Sequence, residues 1–237
     1  MLNLSSVTLV AINTVCHELS DMAVAECLKH ANFGDVKVFT NRHEADKIYI
    51  EPFNDLIEAG NFTYYEVPKY ITTDRALFIH WDSWIIDPPM WTDDFLYYDY
   101  VGAPWWYTDG LNVGNSGFCL RSKRMIDFFA ENRETYPFGM PEDVMLCKHY
   151  RPMLPQFKWA PEPLAAQFSF ERARAAVDSR HFGFHGMFNW PFVLTPDKLA
   201  ERMEIARKDS HILKSKDLDE IDGLAQARWL KLSGRID

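Results

Sequence analysis

The run Val7-Thr8-Leu9-Val10-Ala11-Ile12 constrains the fold more than any other segment, because it is apolar almost without interruption. A strand with one face in water alternates apolar and polar residues, whereas a near-continuous apolar run belongs to a strand covered on both faces, the usual condition of a parallel sheet. The run ends in polar Asn13-Thr14, and a helical pattern follows from Ser20 to Ala31. There Met22, Val24, Ala25 and Leu28 fall close to helical spacing, Asp21 and Glu26 mark the solvent side, and Gly34 closes the segment. Val36-Lys37-Val38-Phe39-Thr40 alternates as a second strand, Ala45 to Ile50 supplies a third and Leu77-Phe78-Ile79 a fourth. Strand, helix and strand joined by short connections predict an α/β fold with a mainly parallel sheet flanked by helices.

Composition bounds the rest. The 237 residues are 47% hydrophobic and 15% aromatic, enough for one sizeable core, and no linker rich in Gly, Ser or Pro divides them. General disorder is excluded. A net charge of −9 offers no broad basic field for a phosphate backbone. A nucleic-acid partner would need a local groove, for which Arg121, Lys123, Arg124, Arg172 and Arg174 are candidates against an ordinary place on solvated helix faces. Cys16, Cys27, Cys119 and Cys147 show no CxxC spacing, so reduced, buried thiols are expected. The segment Met1 to Ser6 lacks the basic start and apolar core of a signal peptide, and no run reaches membrane-spanning length; the expected location is the cytoplasm.

Beyond Ile79 the periodicity breaks. Trp, Tyr, Pro and Asp crowd Trp84 to Tyr107, which reads as a loop-rich wall over the sheet edge. Arg121 to Asn132 recovers a helical pattern through Met125, Ile126, Phe128 and Phe129, and Glu142 to Tyr150 reads as a short helix with Pro141 at its first turn. Asp197 to Lys208 and Leu218 to Leu232 read as two amphipathic helices packed on the outside, giving a domain over 1–195 and a helical extension over 196–237. No internal repeat is apparent.

Four short segments carry chemistry. In Leu77-Phe78-Ile79-His80-Trp81-Asp82-Ser83-Trp84 an apolar strand delivers His80 and Asp82, two residues apart and so on one face of an extended chain, where they could share one metal ion; the alternative is that Asp82 closes a turn and His80 is a core residue. Val113-Gly114-Asn115-Ser116-Gly117-Phe118 allows a close backbone approach to a ligand, or makes an ordinary hairpin turn. The indoles of Trp105 and Trp106 could wall a sugar ring or base, or fill the core. Pro141-Glu142-Asp143 sets two carboxylates at a helix start, as a cap or as a general base within reach of a substrate hydroxyl. In His181-Phe182-Gly183-Phe184-His185-Gly186 an imidazole between glycines suits a divalent metal or a surface hydrogen bond. The two histidines do not make an HExxH zinc site, since the glutamate is missing.

In order, Asp82, the Gly114 to Gly117 loop, Pro141-Glu142-Asp143 and His185 resemble the landmarks of a GT-A type nucleotide-sugar glycosyltransferase: the metal-binding DxD, the glycine-rich loop, the xED base and a C-terminal metal-binding histidine. The fuller wording around Trp81 to Trp84, Tyr98 to Trp105, Val113 to Ser122 and Pro141 to Val144 is similar to the bacterial GT-A-like proteins grouped as DUF5672, over most of Val7 to Pro191. The resemblance implies a GT-A-like, Rossmann-related mixed sheet. It implies a divalent cation, Mn²⁺ or Mg²⁺, on Asp82, His185 and His80, with Asp143 as base and Glu142 as its understudy. It places the nucleoside of a nucleotide-sugar donor, a UDP-sugar foremost, at Asn13, Thr14, Thr40 and Asn41, with Asn115 and Ser116 facing the donor sugar and a glycan or other hydroxyl as acceptor. One departure stands out: only one carboxylate occupies the DxD position, so His80 or water must complete the coordination sphere. Two other readings remain open at this point, a catalytically silent nucleotide-sugar or glycan-binding module, and a glycosyltransferase acting on a hydroxylated nucleobase stacked on Trp105 and Trp106.

Overall fold

A computed structural model of the chain describes residues 1–139, 141–172 and 180–209. In chain order the first elements are β1 (Leu2–Asn13), α1 (His17–His30), β2 (Ala31–Thr40), β3 (Ile48–Tyr49), α2 (Leu56–Tyr65) and β4 (Arg75–Ile79). Next come β5 (Tyr100–Val101), β6 (Ala103–Pro104), β7 (Val113–Gly114), β8 (Phe118–Ser122), α3 (Lys123–Glu131) and α4 (Glu142–Val144). The described part ends with α5 (Glu162–Phe168), β9 (Ser169–Phe170), β10 (Gly183–Phe184), α6 (Trp190–Val193) and α7 (Pro196–Lys208).

Six strands form one mixed sheet in the order β3-β2-β1-β4-β8-β5. β1 runs parallel to β2 and to β4, and β2 parallel to β3, while β8 is antiparallel to both β4 and β5. Strand alternation divides the interior into two cores. Val7, Leu9 and Ala11 of β1 with Leu77 and Ile79 of β4 face a layer containing Leu19 and Ala23 of α1 and Met203 of α7. Val10, Ala76 and Phe78 face Tyr64 of α2 and Met125 and Phe129 of α3 on the other side. This double cover is what the apolar run in β1 requires. Phe95, Phe118, Phe168 and Phe182 are all fully buried in the first layer, where truncating any one to Ala would cost about 3–5 kcal/mol.

Several boundaries differ from the sequence reading. The third strand shrinks from Ala45–Ile50 to the two residues of β3. Arg121 and Ser122 belong to strand β8, and the helix starts only at Lys123, with the Ser122 hydroxyl capping it by accepting from the Met125 N–H at 3.1 Å. β8 is buried on both faces and so shows no alternation to separate it from the helical pattern that follows. The interval Trp84 to Tyr107 holds two strands, β5 and β6, besides loops. α2 lies outside the elements expected from the sequence, although Asp55 and Glu58 form a capping pair there: Asp55 Oδ1 accepts from the Glu58 N–H at 2.8 Å. α7 matches the expected Asp197–Lys208 helix, and Leu218 to Leu232 lies outside the described residues. The four cysteines are free and buried. Among the described residues no helix is long and apolar enough to cross a membrane.

Candidate active site

β1 is flanked by β2 on one side and β4 on the other, so the chain order reverses there, and in open α/β sheets the crevice beyond the carboxyl ends of such strands is where ligands bind. His80 leaves β4 at this edge. The strand does not continue through Asp82, as the two-residue spacing had suggested; residues 80–83 form a tight turn closed by the Ser83 N–H donating to the His80 carbonyl at 3.2 Å. The His80 N–H donates to the Gly117 carbonyl and to the Ser83 hydroxyl, each at 2.9 Å, which clamps the turn to the glycine loop. Ser83 thus makes the contacts that close the turn, and the Asp82 carboxylate is left for other work. It is buried, with Oδ2 accepting from the Met187 N–H at 3.1 Å, while Oδ1 has no hydrogen-bond partner. A buried carboxyl oxygen that accepts no hydrogen bond is costly unless a cation meets it.

His185 faces that oxygen, its Nε2 lying 3.6 Å from Asp82 Oδ1. His80 stands edge-to-face with the His185 ring at 5.3 Å between centroids. One ligand atom from each of His80, Asp82 and His185 lies within 4.8 Å of the other two, which fits one divalent cation. Burial alone would disfavour an imidazolium at His185, but Asp82, Glu171 and Asp143 outweigh it and push the group up to about 9. His80, open to the cleft yet ringed by protein, is held below the ordinary range by that surrounding mass and by His185.

Glu171 escaped the sequence reading. Its Oε1 meets His185 Nδ1 at 2.8 Å and its Oε2 accepts from the Trp105 indole N–H at 3.3 Å. The signal was available: Phe168-Ser169-Phe170-Glu171 and Phe182-Gly183-Phe184-His185 are matching tetrads. β9 and β10 pair them in parallel, Ser169 with Gly183 and Phe170 with Phe184, so the next step sets Glu171 beside His185.

The glycine loop is not a hairpin, since β7 pairs with β6 and β8 joins the main sheet. Nor do its glycines open room for a donor sugar. A Cβ on Gly117 would lie 2.1 Å from Cδ2 and Nε2 of His185, and one on Gly114 would lie 2.1 Å from Cη2 of Trp105. Each glycine is a slot for a ring. Asn115, expected to face the donor, is fully buried with φ 83, and its Oδ1 accepts from the N–H groups of Gly117 at 2.6 Å and Phe118 at 3.2 Å. Its side chain shapes the loop, and Ser116, half-buried, is the residue there still open to a ligand. Trp105 is likewise no stacking wall, being buried with its N–H on Glu171, whereas Trp106 is 47% exposed.

Pro141 precedes α4, and Glu142 and Asp143 fill its first turn before the helix widens to π geometry over Met145–Tyr150. Burial, then the charge of Glu142, raises the Asp143 carboxyl to about 6, against some relief from the Val144 N–H that donates to it at 2.8 Å. At the carboxyl ends of β1 and β2, Asn13 and Thr40 are register partners. Thr40 Oγ1 is buried without a partner, Thr14 is half-buried, and Asn41 Oδ1 contacts Nε2 of His17 at 2.5 Å, a histidine that stands in no recognisable motif.

Among the described residues the candidates for a basic groove do not gather on one face. Arg121 is buried over the rings of Phe78 and Tyr64, at 4.5 and 4.8 Å. Lys123 and Arg124 follow β8, whose antiparallel course carries them to the opposite edge of the sheet, where they pair with Asp127 and Asp99. Arg172 stacks on Phe188 at 3.8 Å, and Arg174 lies outside the described residues.

No curated protein matches the chain in sequence. Among solved structures it is similar to the apo-form glycosyltransferase GlyE of Streptococcus pneumoniae TIGR4, with 11% identity and a TM-score of 0.46 over 80% of this chain and 55% of that one. It thus spans about half the length of GlyE. It is also similar to a glycosyltransferase involved in the glycosylation of the major capsid of PBCV-1 (10% identity, TM-score 0.47, 84% of this chain and 98% of that one). A third is the galactosyltransferase LgtC in complex with donor and acceptor sugar analogs (14% identity, TM-score 0.45, 97% and 100%). In sequence, the model of the family described as "Protein of unknown function (DUF5672)" matches residues 51–185, a span that runs from α2 through the His80–Ser83 turn, the glycine loop, Asp143 and Glu171 to His185. The match takes in more than half of the chain and every side chain of the cation cluster, and the chain belongs to the DUF5672 family.

Proposed function

We propose that this chain is a glycosyltransferase that moves a sugar from a nucleotide-sugar donor, a UDP-sugar foremost, to an acceptor hydroxyl with inversion at the anomeric carbon. The observation that carries the reading is the convergence of three ligand atoms within 4.8 Å, one of them a buried oxygen without a donor, beside a carboxylate raised to about 6. His80, Asp82 and His185 would hold a divalent cation, which when bound supplies the positive charge that a diphosphate needs as it leaves. Two imidazoles and one carboxylate favour Mn²⁺ or another transition metal over Mg²⁺, which prefers oxygen ligands.

The chain's own residues do the rest. Asp143, with a pKa close below neutral, is ionised at pH 7 yet basic enough to take the proton of the acceptor hydroxyl. The acceptor oxygen forms its bond to the anomeric carbon as the bond from that carbon to the donor's phosphate oxygen breaks, and the electron pair leaves with the nucleoside diphosphate. Attack from the side opposite the leaving group gives inversion. Asn13, Thr14, Thr40 and Asn41 seat the nucleoside at the edge of β1 and β2, the buried Thr40 hydroxyl being free to pair with it. Ser116 faces the donor sugar, and Trp106 offers the acceptor an exposed ring.

A screen of nucleotide-sugars for hydrolysis and transfer, with and without Mn²⁺, tests the reading. Mn²⁺-dependent turnover of one donor class is expected, and it should be lost in Asp82→Ala and His185→Ala. Donor binding with no turnover under any metal would leave a binding module in its place.

A further inference from the structure

We propose that Glu171 is a positioning residue of the cation site, a side chain that touches neither donor nor acceptor but fixes which nitrogen of His185 meets the cation and where. The inference rests on the cation site of the glycosyltransferase reading above.

The geometry gives Glu171 two anchors of its own and one duty. Oε2 is held by the Trp105 indole N–H at 3.3 Å, and Oε1 takes His185 Nδ1 at 2.8 Å. The backbones of the pair are tied together as well: buried Asn189 donates Nδ2 to the His185 carbonyl at 2.7 Å and to the Glu171 carbonyl at 3.4 Å. The β9–β10 register places both residues at the same level. Trp105 in turn sits in the slot left by Gly114, three residues before the Gly117 slot that takes the His185 ring. One loop therefore seats both ends of the chain Trp105, Glu171, His185.

With Nδ1 engaged by a carboxylate, the only ring nitrogen left is Nε2, the one that faces Asp82 Oδ1 at 3.6 Å, an oxygen that accepts no hydrogen bond. A carboxylate behind a ligating imidazole fixes the tautomer, restrains the ring and makes its other nitrogen a better donor to a metal; losing such a partner lowers metal affinity about 10–100-fold. Without Glu171 the ring could turn over and present carbon in place of Nε2.

The test is Mn²⁺ binding by electron paramagnetic resonance and the visible spectrum of the Co²⁺ form, measured on the whole chain for wild type, Glu171→Gln, Glu171→Ala and His185→Ala. Glu171→Gln is nearly isosteric and can still accept from Nδ1, so it keeps the question answerable if Glu171→Ala does not fold. Expected is an ordered loss of Mn²⁺ affinity, about 10-fold for Glu171→Gln and approaching about 100-fold for Glu171→Ala, with the Co²⁺ bands of Glu171→Gln unchanged because the ligands are the same. A purely structural role would not leave the spectrum intact while weakening binding. The proposal is overturned if both Glu171 variants bind Mn²⁺ as wild type does while His185→Ala does not. It is also overturned if Glu171→Gln changes the Co²⁺ spectrum as His185→Ala does, which would make Glu171 a ligand. Failure of wild type to bind Mn²⁺ would overturn the cation site itself, and is seen before any variant is compared.

Discussion

Gly117→Ala is the smallest change that should disable the cation site without removing any of its ligands. The new Cβ would lie 2.1 Å from Cδ2 and Nε2 of His185, so one side must give way by about 1.3 Å to reach an ordinary contact of 3.4 Å. The loop cannot retreat easily, because the Gly117 N–H is held by Asn115 Oδ1 at 2.6 Å and its carbonyl by the His80 N–H at 2.9 Å. The ring has to move, and a displacement of that size is several times the tolerance of about 0.2 Å on a metal–ligand distance. One of three protein ligands is then lost, which should weaken Mn²⁺ binding by at least about 100-fold, the upper range for disturbing even an outer partner. The strain on the fold is smaller, about 1–3 kcal/mol for one overpacked methyl, or roughly 3–10 °C in thermal midpoint. Mn²⁺ titration beside thermal unfolding measures both, with Gly139→Ala as the control, since a Cβ there meets nothing within 4 Å. If Gly117→Ala binds Mn²⁺ within about twofold of wild type and keeps the wild-type Co²⁺ spectrum, the slot argument is wrong and His185 does not sit against the loop when metal is bound.

Asp143→Asn should lower transfer by about 10²–10⁴-fold with donor affinity near normal, because the loss falls on the transition state; a variant within severalfold of wild type would leave Asp143 as a helix-start residue and make Glu142 the next candidate. The pH profile of wild-type kcat/KM should show an acid limb at about 6 or lower, since the base works only when ionised and a nearby cation can only ease its ionisation. The same raised pKa bears on stability: between the ordinary value of 3.8 and about 6 the folded chain holds a proton that the unfolded chain releases, so stability falls as pH rises through that window. Asp143→Asn should therefore be more stable than wild type at pH 7.5, by on the order of 1–3 kcal/mol, and lose that advantage below about pH 4; equal unfolding midpoints at pH 7.5 would refute the buried-charge argument. Mn²⁺ affinity should climb with pH up to about 9, close to tenfold per unit, because the cation must displace the proton on His185; a flat profile between pH 6 and 8 would deny His185 as ligand. His80→Asp, which adds a second carboxylate, should raise the affinity for Mg²⁺ relative to Mn²⁺, an effect that isothermal titration with each ion would detect and that should be missing if His80 is not a ligand.

What the sequence disclosed and what it withheld follow one physical line. Strand β1, helix α1 and strand β4 were legible because burial leaves a period in the sequence, apolar on both faces for β1 and amphipathic for α1. α2 and β8 were lost where the period is blurred, β8 by two-sided burial and α2 by a mixture of Gly, Asn, Thr and Tyr. Asp82, His185 and Asp143 stand out by chemistry, but it is the turn at Ser83, not strand alternation, that brings His80 and Asp82 together. The glycines mark places of close approach in the sequence, and the fold shows that the approaching groups are the chain's own Trp105 and His185.

Glycine loops of this kind share one ambiguity. A glycine selected to admit a ligand and a glycine selected to admit a catalytic side chain leave the same mark in sequence, since both need a bare Cα. They differ in what a methyl group would disturb. Where the neighbour is substrate, an added methyl raises the demand on binding and the empty protein is untouched; where the neighbour is His185, it alters the empty protein before any substrate arrives. Here the methyl meets Nε2 itself, so the loop acts on the donor through the histidine, and the ligand-free chain should already report the damage as lost metal affinity.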